Sequence, residues 1–333
     1  MNNITNFNEQ EITLEDSTKL FYVNKSKFLY KKAKRELGIN NDEEIDERQL
    51  VMWLIDNMDK VNKKTYRVYK SSLIYYFLNE IKTDSSVEAA EYLAKITSEK
   101  SYKKSDKTSA QKMKRIPSND LEKLIKYLDE HDGKWNLYIK NWILSAIICG
   151  LRPIEWKDSE IISYEGKTAL KIKNAKHTNG RAHGEFRIIL LNNLTEDELN
   201  LINKHIYSVK EFDKIGEYDK FYRNCVAQLN TVNNKIFGRR KKNITLYSAR
   251  HQFSANAKSA GKSKREIAAL MGHKVDKTAT IHYGKGRFGS SSLSVEPSQE
   301  DVEKVIENSP DWYKKYKEKR DEKKSTDDNL NNI

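Results

Sequence analysis

Apolar residues recur along the chain in two rhythms, and the change of rhythm organises it. Between about residues 19 and 98 the period is helical. It is clearest at Tyr66, Tyr69, Leu73, Tyr76 and Phe77, which share one helix face, while Arg67, Lys70 and Ser71 lie on the other. The stripe reads as core rather than as a base-stacking platform, and the basic face as the side that could meet phosphate. Helices are also expected near 19–37, 46–60 and 86–98, so this stretch predicts a small all-α domain. The first fifteen or so residues show no period and read as a loose arm. Residues 100–115 hold seven basic residues, one acid and no aliphatic periodicity, the composition of a linker.

A second domain opens at Ile116-Pro117-Ser118. Ser118 or Asn119 is expected to cap a helix, with Glu122 answering in a box-like arrangement. Leu121, Leu124, Ile125 and Leu128 then repeat at i, i+3, i+4, i+7. Residues 137–149 are apolar nearly all round, which predicts a helix buried in the domain centre. The rhythm then shortens. Residues 159–164, 168–173 and 185–191 alternate or run apolar with β-branched side chains. Glu165-Gly166-Lys167 and a longer basic hairpin from Asn174 to Gly184 separate them, and a three-stranded antiparallel sheet is expected. Helices return at about 195–210, 217–236, 248–260 and 263–271, with a basic connector from Arg239 to Lys242. Ser290 to Pro297 reads as a flexible link. Glu300 to about Lys324 reads as a charged helix with apolar anchors at Val302, Val305, Ile306, Trp312, Tyr313 and Tyr316. The expected organisation is an arm at 1–18, a helical domain at 19–99, a basic linker at 100–116, an α+β domain at 117–289 and a tail at 290–333. The fold class is mainly α with a small three-stranded antiparallel sheet.

Charge narrows the function. Of 333 residues, 61 are Lys or Arg and 48 are Asp or Glu, a net charge of +13. The tail from Ser290 holds eleven acids and eight bases, net −3, so the preceding residues carry +16. Such a balance points to nucleic acid, with an anionic membrane surface as the alternative. No apolar run reaches the roughly 18 residues of a membrane span, and the polar, acidic N-terminus lacks a signal-peptide core. An intracellular (cytoplasmic), soluble, helical and basic protein is expected. Two cysteines, Cys149 and Cys225, cannot build a disulfide framework or a zinc quartet, and Cys149 reads as a small core hydrophobe. No H-x-x-x-H, no P-loop and no G-x-S-x-G occurs, so no metal site and no cofactor are expected.

Three segments carry chemistry. Gly150-Leu151-Arg152 follows the buried helix and holds an arginine against the core, although Arg152 could simply pair with Glu155. Tyr247-Ser248-Ala249-Arg250-His251 is the second. Leu270-Met271-Gly272-His273, followed by Tyr283, is the third. Each is weak singly. In this order, with a basic β-hairpin between the first two, they resemble the tyrosine recombinase (phage integrase) family over about residues 116–289. The resemblance extends to residues 19–98 as the helical core-binding domain.

The resemblance implies a site-specific DNA recombinase, the integrase or transposase of a mobile element. It would cut and rejoin DNA through a 3′-phosphotyrosyl intermediate without metal. Arg152 and Arg250 become phosphate clamps, His273 a further donor and Tyr283 the nucleophile. Lys176, in the hairpin, becomes the general acid, with Lys173 as rival. Tyr247 stands where the family often has a histidine acting on the nucleophile's proton, and His251 and His282 could share that role. Arg67, Lys70, Lys103, Lys104, Lys107, Lys112, Lys114, Arg115, Arg181, Arg239, Arg240 and Lys241 are candidate DNA contacts. The implied partners are double-stranded recombination sites, a homo-tetramer on two sites, and an accessory DNA-bending or directionality factor. The tail could dock on a neighbouring subunit. Two other readings stand beside this one: a type IB topoisomerase-like enzyme, and a non-catalytic DNA-binding protein of the same fold.

Overall fold

The structure, a computed structural model, describes residues 14–40, 42–99, 101, 113–175, 177, 182–278, 283–290 and 292–306. The chain forms two compact units that divide between Lys107 and Thr108. It is mainly helical, with one small antiparallel sheet.

In the first unit, α1 (Asp16–Leu37) lies along α3 (Lys63–Tyr76), and α4 (Asp84–Lys95) packs against both α2 (Glu47–Asp56) and α3. Local chemistry sets the boundaries. Gly38 ends α1 in the left-handed region at φ 69°. Asp46 and Gln49 close a reciprocal capping box on α2, and Asn62 caps α3. The aromatic stripe is core: Tyr66, Leu73 and Phe77 are fully buried with Leu29, Trp53, Leu54 and Leu93. One expected DNA contact is committed elsewhere. The Lys70 ammonium donates to Ala94 O and Ile96 O, both at 2.7 Å, and burial lowers its pKa. It satisfies carbonyls left open at the end of α4, so the expectation that it meets phosphate is corrected. Arg67 remains exposed.

The second unit is built around α6 (Asn136–Cys149). Ile139, Trp142, Ile143, Ala146 and Cys149 are all buried, as the all-round apolar pattern predicts. Against α6 pack α5 (Ser118–Glu130), α7 (Glu196–Lys214), α8 (Tyr218–Phe237) and α9 (Leu246–Ser259). The expected Ser118 or Asn119 cap does not form. Ser118 is already inside α5, whose N-cap is Pro117 without a side-chain hydrogen bond. Eleven of the fourteen residues of α9 are buried, including the polar Arg250, His251, Gln252 and Asn256.

The sheet has four strands rather than three: β1 (Ser159–Tyr164), β2 (Lys167–Lys173), β3 (Phe186–Leu190) and β4 (Glu296–Pro297), in that order and antiparallel throughout. Glu165 and Gly166, at φ 51° and 74°, form the tight two-residue turn between β1 and β2. The fourth strand corrects the flexible-link reading of Ser290 to Pro297. Val295 is fully buried, and Leu190 pairs with Glu296. Leu293 and Val295 alternate with serines over too short a stretch to stand out in the sequence, yet β3 has an open edge whose backbone groups need partners.

Beyond it, the expected helix from Glu300 to about Lys324 is described only as far as residue 306, and within that stretch the helix is short. After α10 (Lys264–Leu270), helix α11 (Gln299–Lys304) is capped by Ser298 and ends at an extended Val305. Val305 is buried against Ala268 and Ala269 of α10, and Ile306 N donates to Lys274 O at 2.8 Å. Residues 292–306 are thus part of their own domain. Trp312, Tyr313 and Tyr316 lie outside the described residues.

Candidate active site

Three elements converge on one buried carboxylate. The first is the turn after α6. Gly150 sits at φ 71°, and a Cβ there would overlap the Phe253 ring, so glycine is required for both conformation and space. The chain then runs through Arg152 into a 3-10 turn, Pro153–Trp156, in which Glu155 is 2% exposed. Arg152 Nη1 bonds Glu155 Oε1, and Arg152 N donates to Glu155 Oε2 at 2.8 Å. The second element is β3, where Arg187 Nη2 donates to Glu155 Oε2 at 2.8 Å. The third is α9, where Arg250 Nη1 lies 3.6 Å from the same Oε2. Burial opposes the charge on Glu155, but Arg187, Arg152 and Arg250 overcome it and hold the carboxyl well below its usual range.

Arg250 is fixed from behind. Its Nη1 donates to Gly150 O at 2.5 Å and its Nη2 to Met271 O at 2.7 Å. Nε lies 3.4 Å from the Tyr283 hydroxyl, and Nη2 lies 3.3 Å from His273 Nε2. One edge of the guanidinium fork therefore faces a tyrosine and a histidine. Arg152 contributes differently: among the described residues its Nε and Nη2 have no hydrogen-bond partner.

The Tyr283 hydroxyl also lies 3.1 Å from that of Tyr247. Burial pushes the Tyr283 phenol up. Arg250, Arg152 and the hydrogen bonds from Tyr247 and Arg250 outweigh it and bring the pKa down to about 8. Tyr247 moves the other way, raised by burial and by Tyr283 despite Arg250. His273 is depressed by burial and by the three guanidiniums, so it is neutral at pH 7. The segment after Tyr283 is pinned to α9: Lys258 Nζ donates to Gly284 O at 2.7 Å, and Gln252 Nε2 to Phe288 O at 2.9 Å.

The arrangement brings Arg152, Tyr247, Arg250, His273 and Tyr283 to one place. Lys176, Arg181, His282 and the linker residues Lys103, Lys104, Lys107 and Lys112 lie outside the described residues. Lys173 on β2 sits 3.7 Å from Glu185. His251 is buried, its ring 5.0 Å from that of Tyr283. Among the expected DNA contacts, Lys114, Arg115, Arg239 and Lys241 are exposed. Arg240 is half-buried, pairs with Asp120 at 2.7 Å and stacks on Phe237. Arg187 and Asn174 were not expected. The available signal was a charge on the inward face of β3, where Arg187 and Ile189 are the buried positions.

No family model matches the chain, and no curated protein matches it. Solved structures do resemble it. A lambda integrase dimer bound to a COC′ core site shares 16% identity over 81% of this chain and 72% of that one, with a TM-score of 0.49. The XerH site-specific recombinase bound to palindromic difH substrate shares 18% over 72% and 68%, at 0.41. The Tn1549 transposon integrase in complex with a circular intermediate DNA shares 13% over 81% and 90%, also at 0.41. All three are tyrosine recombinases. At such identities and TM-scores the likeness carries no residue role or substrate to this chain.

Proposed function

We propose that the protein is a site-specific DNA recombinase of the tyrosine type, with Tyr283 as nucleophile. The observation that carries this reading is a buried phenol, lowered to about 8, whose oxygen lies against the fixed edge of Arg250 and the hydroxyl of Tyr247. A tyrosine in a purely structural hydrogen bond has no need of a net positive surrounding. A nucleophile that attacks a phosphodiester does, because charge grows on the non-bridging oxygens as the bond forms.

In the proposed reaction Tyr283 Oη forms a bond to phosphorus as the bond from phosphorus to the 5′-oxygen breaks. The phenol proton passes to the Tyr247 hydroxyl as that hydroxyl gives its own proton to solvent, and Lys176 gives the leaving oxygen a proton, producing a 5′-hydroxyl. Arg152 and Arg250 take the non-bridging oxygens, for which the planar guanidinium fork is suited. His273 exchanges its contact with Arg250 for one with phosphate. The phosphotyrosyl ester stores the bond energy, and a second 5′-hydroxyl reverses the chemistry. Exchange between two duplexes takes four such cuts, hence four subunits. The exposed cations Arg67, Lys114, Arg115, Arg239 and Lys241 serve the phosphate backbone.

The test is a nicked suicide duplex, built from a site recovered by binding selection, resolved on a denaturing gel. The expected result is a covalent protein–DNA adduct that forms in excess chelator, and strand exchange when two sites are supplied. Adduct without exchange would indicate a topoisomerase-like activity. Absence of adduct on a bound site would exclude the proposal.

A further inference from the structure

We infer that Arg187 is a positioning residue for this chemistry. Acting through Glu155 and the turn before His273, it sets the attitude of the two phosphate-clamping arginines and the charge of the site. The inference rests on the functional reading above.

Arg187 stands on β3 opposite Ile172, at a position where the sheet turns apolar side chains inward, and it is 1% exposed. A guanidinium is costly to bury, and replacing buried ion clusters by apolar residues of similar volume is often neutral or stabilising. The sheet itself therefore does not call for an arginine here. What the arginine touches explains it. Nε donates to Leu270 O at 3.0 Å, Nη1 to Asn174 Oδ1, and Nη2 to Glu155 Oε2 at 2.8 Å.

These acceptors belong to three separate segments, each adjoining the site. Leu270 begins the turn whose Met271 O holds Arg250 and which delivers His273. Asn174 closes the neck of the β2–β3 hairpin, its Nδ2 donating to Gly184 O at 2.9 Å, two residues before Lys176. Glu155 holds Arg152. The glycine before His273 fits the same picture. Gly272 lies at φ 63°, and a Cβ there would overlap Asn174 Oδ1 and reach 2.9 Å from Arg187 Nη1. One rigid fork with donors in several fixed directions serves all three segments, which a lysine ammonium on a flexible stem does not reproduce.

Charge counting gives the second half of the role. Glu155 would cancel one of the two clamp arginines if it had only those for partners, leaving +1. With Arg187 the four side chains sum to +2. Arg187 thus adds to the cluster's net positive charge where negative charge grows on the non-bridging oxygens as the Tyr283 oxygen bonds to phosphorus.

The experiment uses the full chain and the nicked suicide duplex, with Arg187→Met, Arg187→Lys and Asn174→Ala. DNA affinity and single-turnover adduct formation at saturating DNA are measured separately. Affinity is expected to stay within about threefold for all three. The Arg187 variants are expected to form adduct roughly 10²-fold more slowly or worse, and Asn174→Ala roughly tenfold more slowly, scaling with the loss of one preorganised donor or its anchor. Lysine keeps the charge but not the three fixed contacts, so it should cleave faster than the methionine variant yet stay far below the parent rate. Full-rate cleavage by a folded Arg187→Met protein would overturn the inference. If the Arg187 variants fail to fold, Asn174→Ala decides, and an unchanged rate there overturns it. An unaltered protein that forms no adduct would remove the recombinase reading and this inference together. Adduct from the unaltered protein beside full-rate variants would remove the inference alone.

Discussion

Glu155 and Trp156 are neighbours in one 3-10 turn, and they face two buried polar clusters that behave oppositely. Glu155 is shut in with Arg152, Arg187 and Arg250, and all four stay charged. Trp156 packs against His205, whose ring lies 4.6 Å from it and 5.0 Å from Trp142. Neither nitrogen of His205 has a hydrogen-bond partner among the described residues, and burial alone pushes its pKa down to about 3. Burial by itself neutralises a group; burial with matched partners preserves its charge. The site side of the turn is therefore a store of positive charge held in fixed directions, and the far side is inert packing.

The largest effect that could break this contrast is on catalysis. Arg250→Ala removes a guanidinium oriented by Gly150 O and Met271 O. Adduct formation should fall by about 10³-fold or more, in line with loss of a preorganised donor, while DNA affinity changes only a few-fold. Cleavage within tenfold of the parent would contradict the contrast.

Glu155→Gln keeps the shape and leaves three guanidiniums without a counter-charge. Urea denaturation at pH 7 should show a loss of about 3–5 kcal/mol. Because the folded-state pKa of Glu155 lies below its unfolded value, its contribution is present above the ordinary carboxylate range and lost as pH falls. The gap between parent and variant should therefore shrink below pH ~4.

The inert side is tested by acid. The folded-state pKa of His205 is also depressed, so its stabilising effect is full above the ordinary histidine value. Stability is then lost at up to ~1.4 kcal/mol per pH unit as pH falls toward 3. His205→Phe should remove that slope without affecting adduct formation. A parent-minus-variant stability difference that does not change between pH 7 and 4 would show that His205 is not buried neutral.

Tyr247→Phe is the finest test. It removes one of the hydrogen bonds that lower Tyr283, so the phenol should titrate at higher pH. Adduct formation should fall about three- to tenfold at pH 7 and converge with the parent at strongly alkaline pH. Equal rates at pH 7 would mean that the Tyr247 hydroxyl does not act on the nucleophile.

Much of this was legible in the residues. The helical stripe from Tyr66 to Phe77, the apolar run ending at Cys149 and the shortened rhythm of β1 to β3 each follow from periodicity. Arg152, Arg250, His273 and Tyr283 were assembled by motif order, since nothing in local composition brings positions 152 and 283 together. Arg187 was hidden because a lone arginine in an apolar strand looks like an outward residue until the register with Ile172 is known. The fourth strand was hidden because the alternation of Leu293 and Val295 with serines is too short to stand out, and its cause, the open edge of β3, is a property of the folded sheet. Charge alone also does not show that the Lys70 ammonium is held by the Ala94 and Ile96 carbonyls, or that Arg240 pairs with Asp120.

The central claim is that Tyr283 becomes covalently joined to DNA. The most direct measurement is to trap the adduct on a suicide duplex, digest it, and locate the phosphotyrosyl peptide by mass spectrometry, with Tyr283→Phe in parallel. The account predicts linkage at Tyr283 and no adduct from the Phe variant, which still binds the duplex. Linkage at Tyr247, or an adduct that persists in Tyr283→Phe, would contradict it.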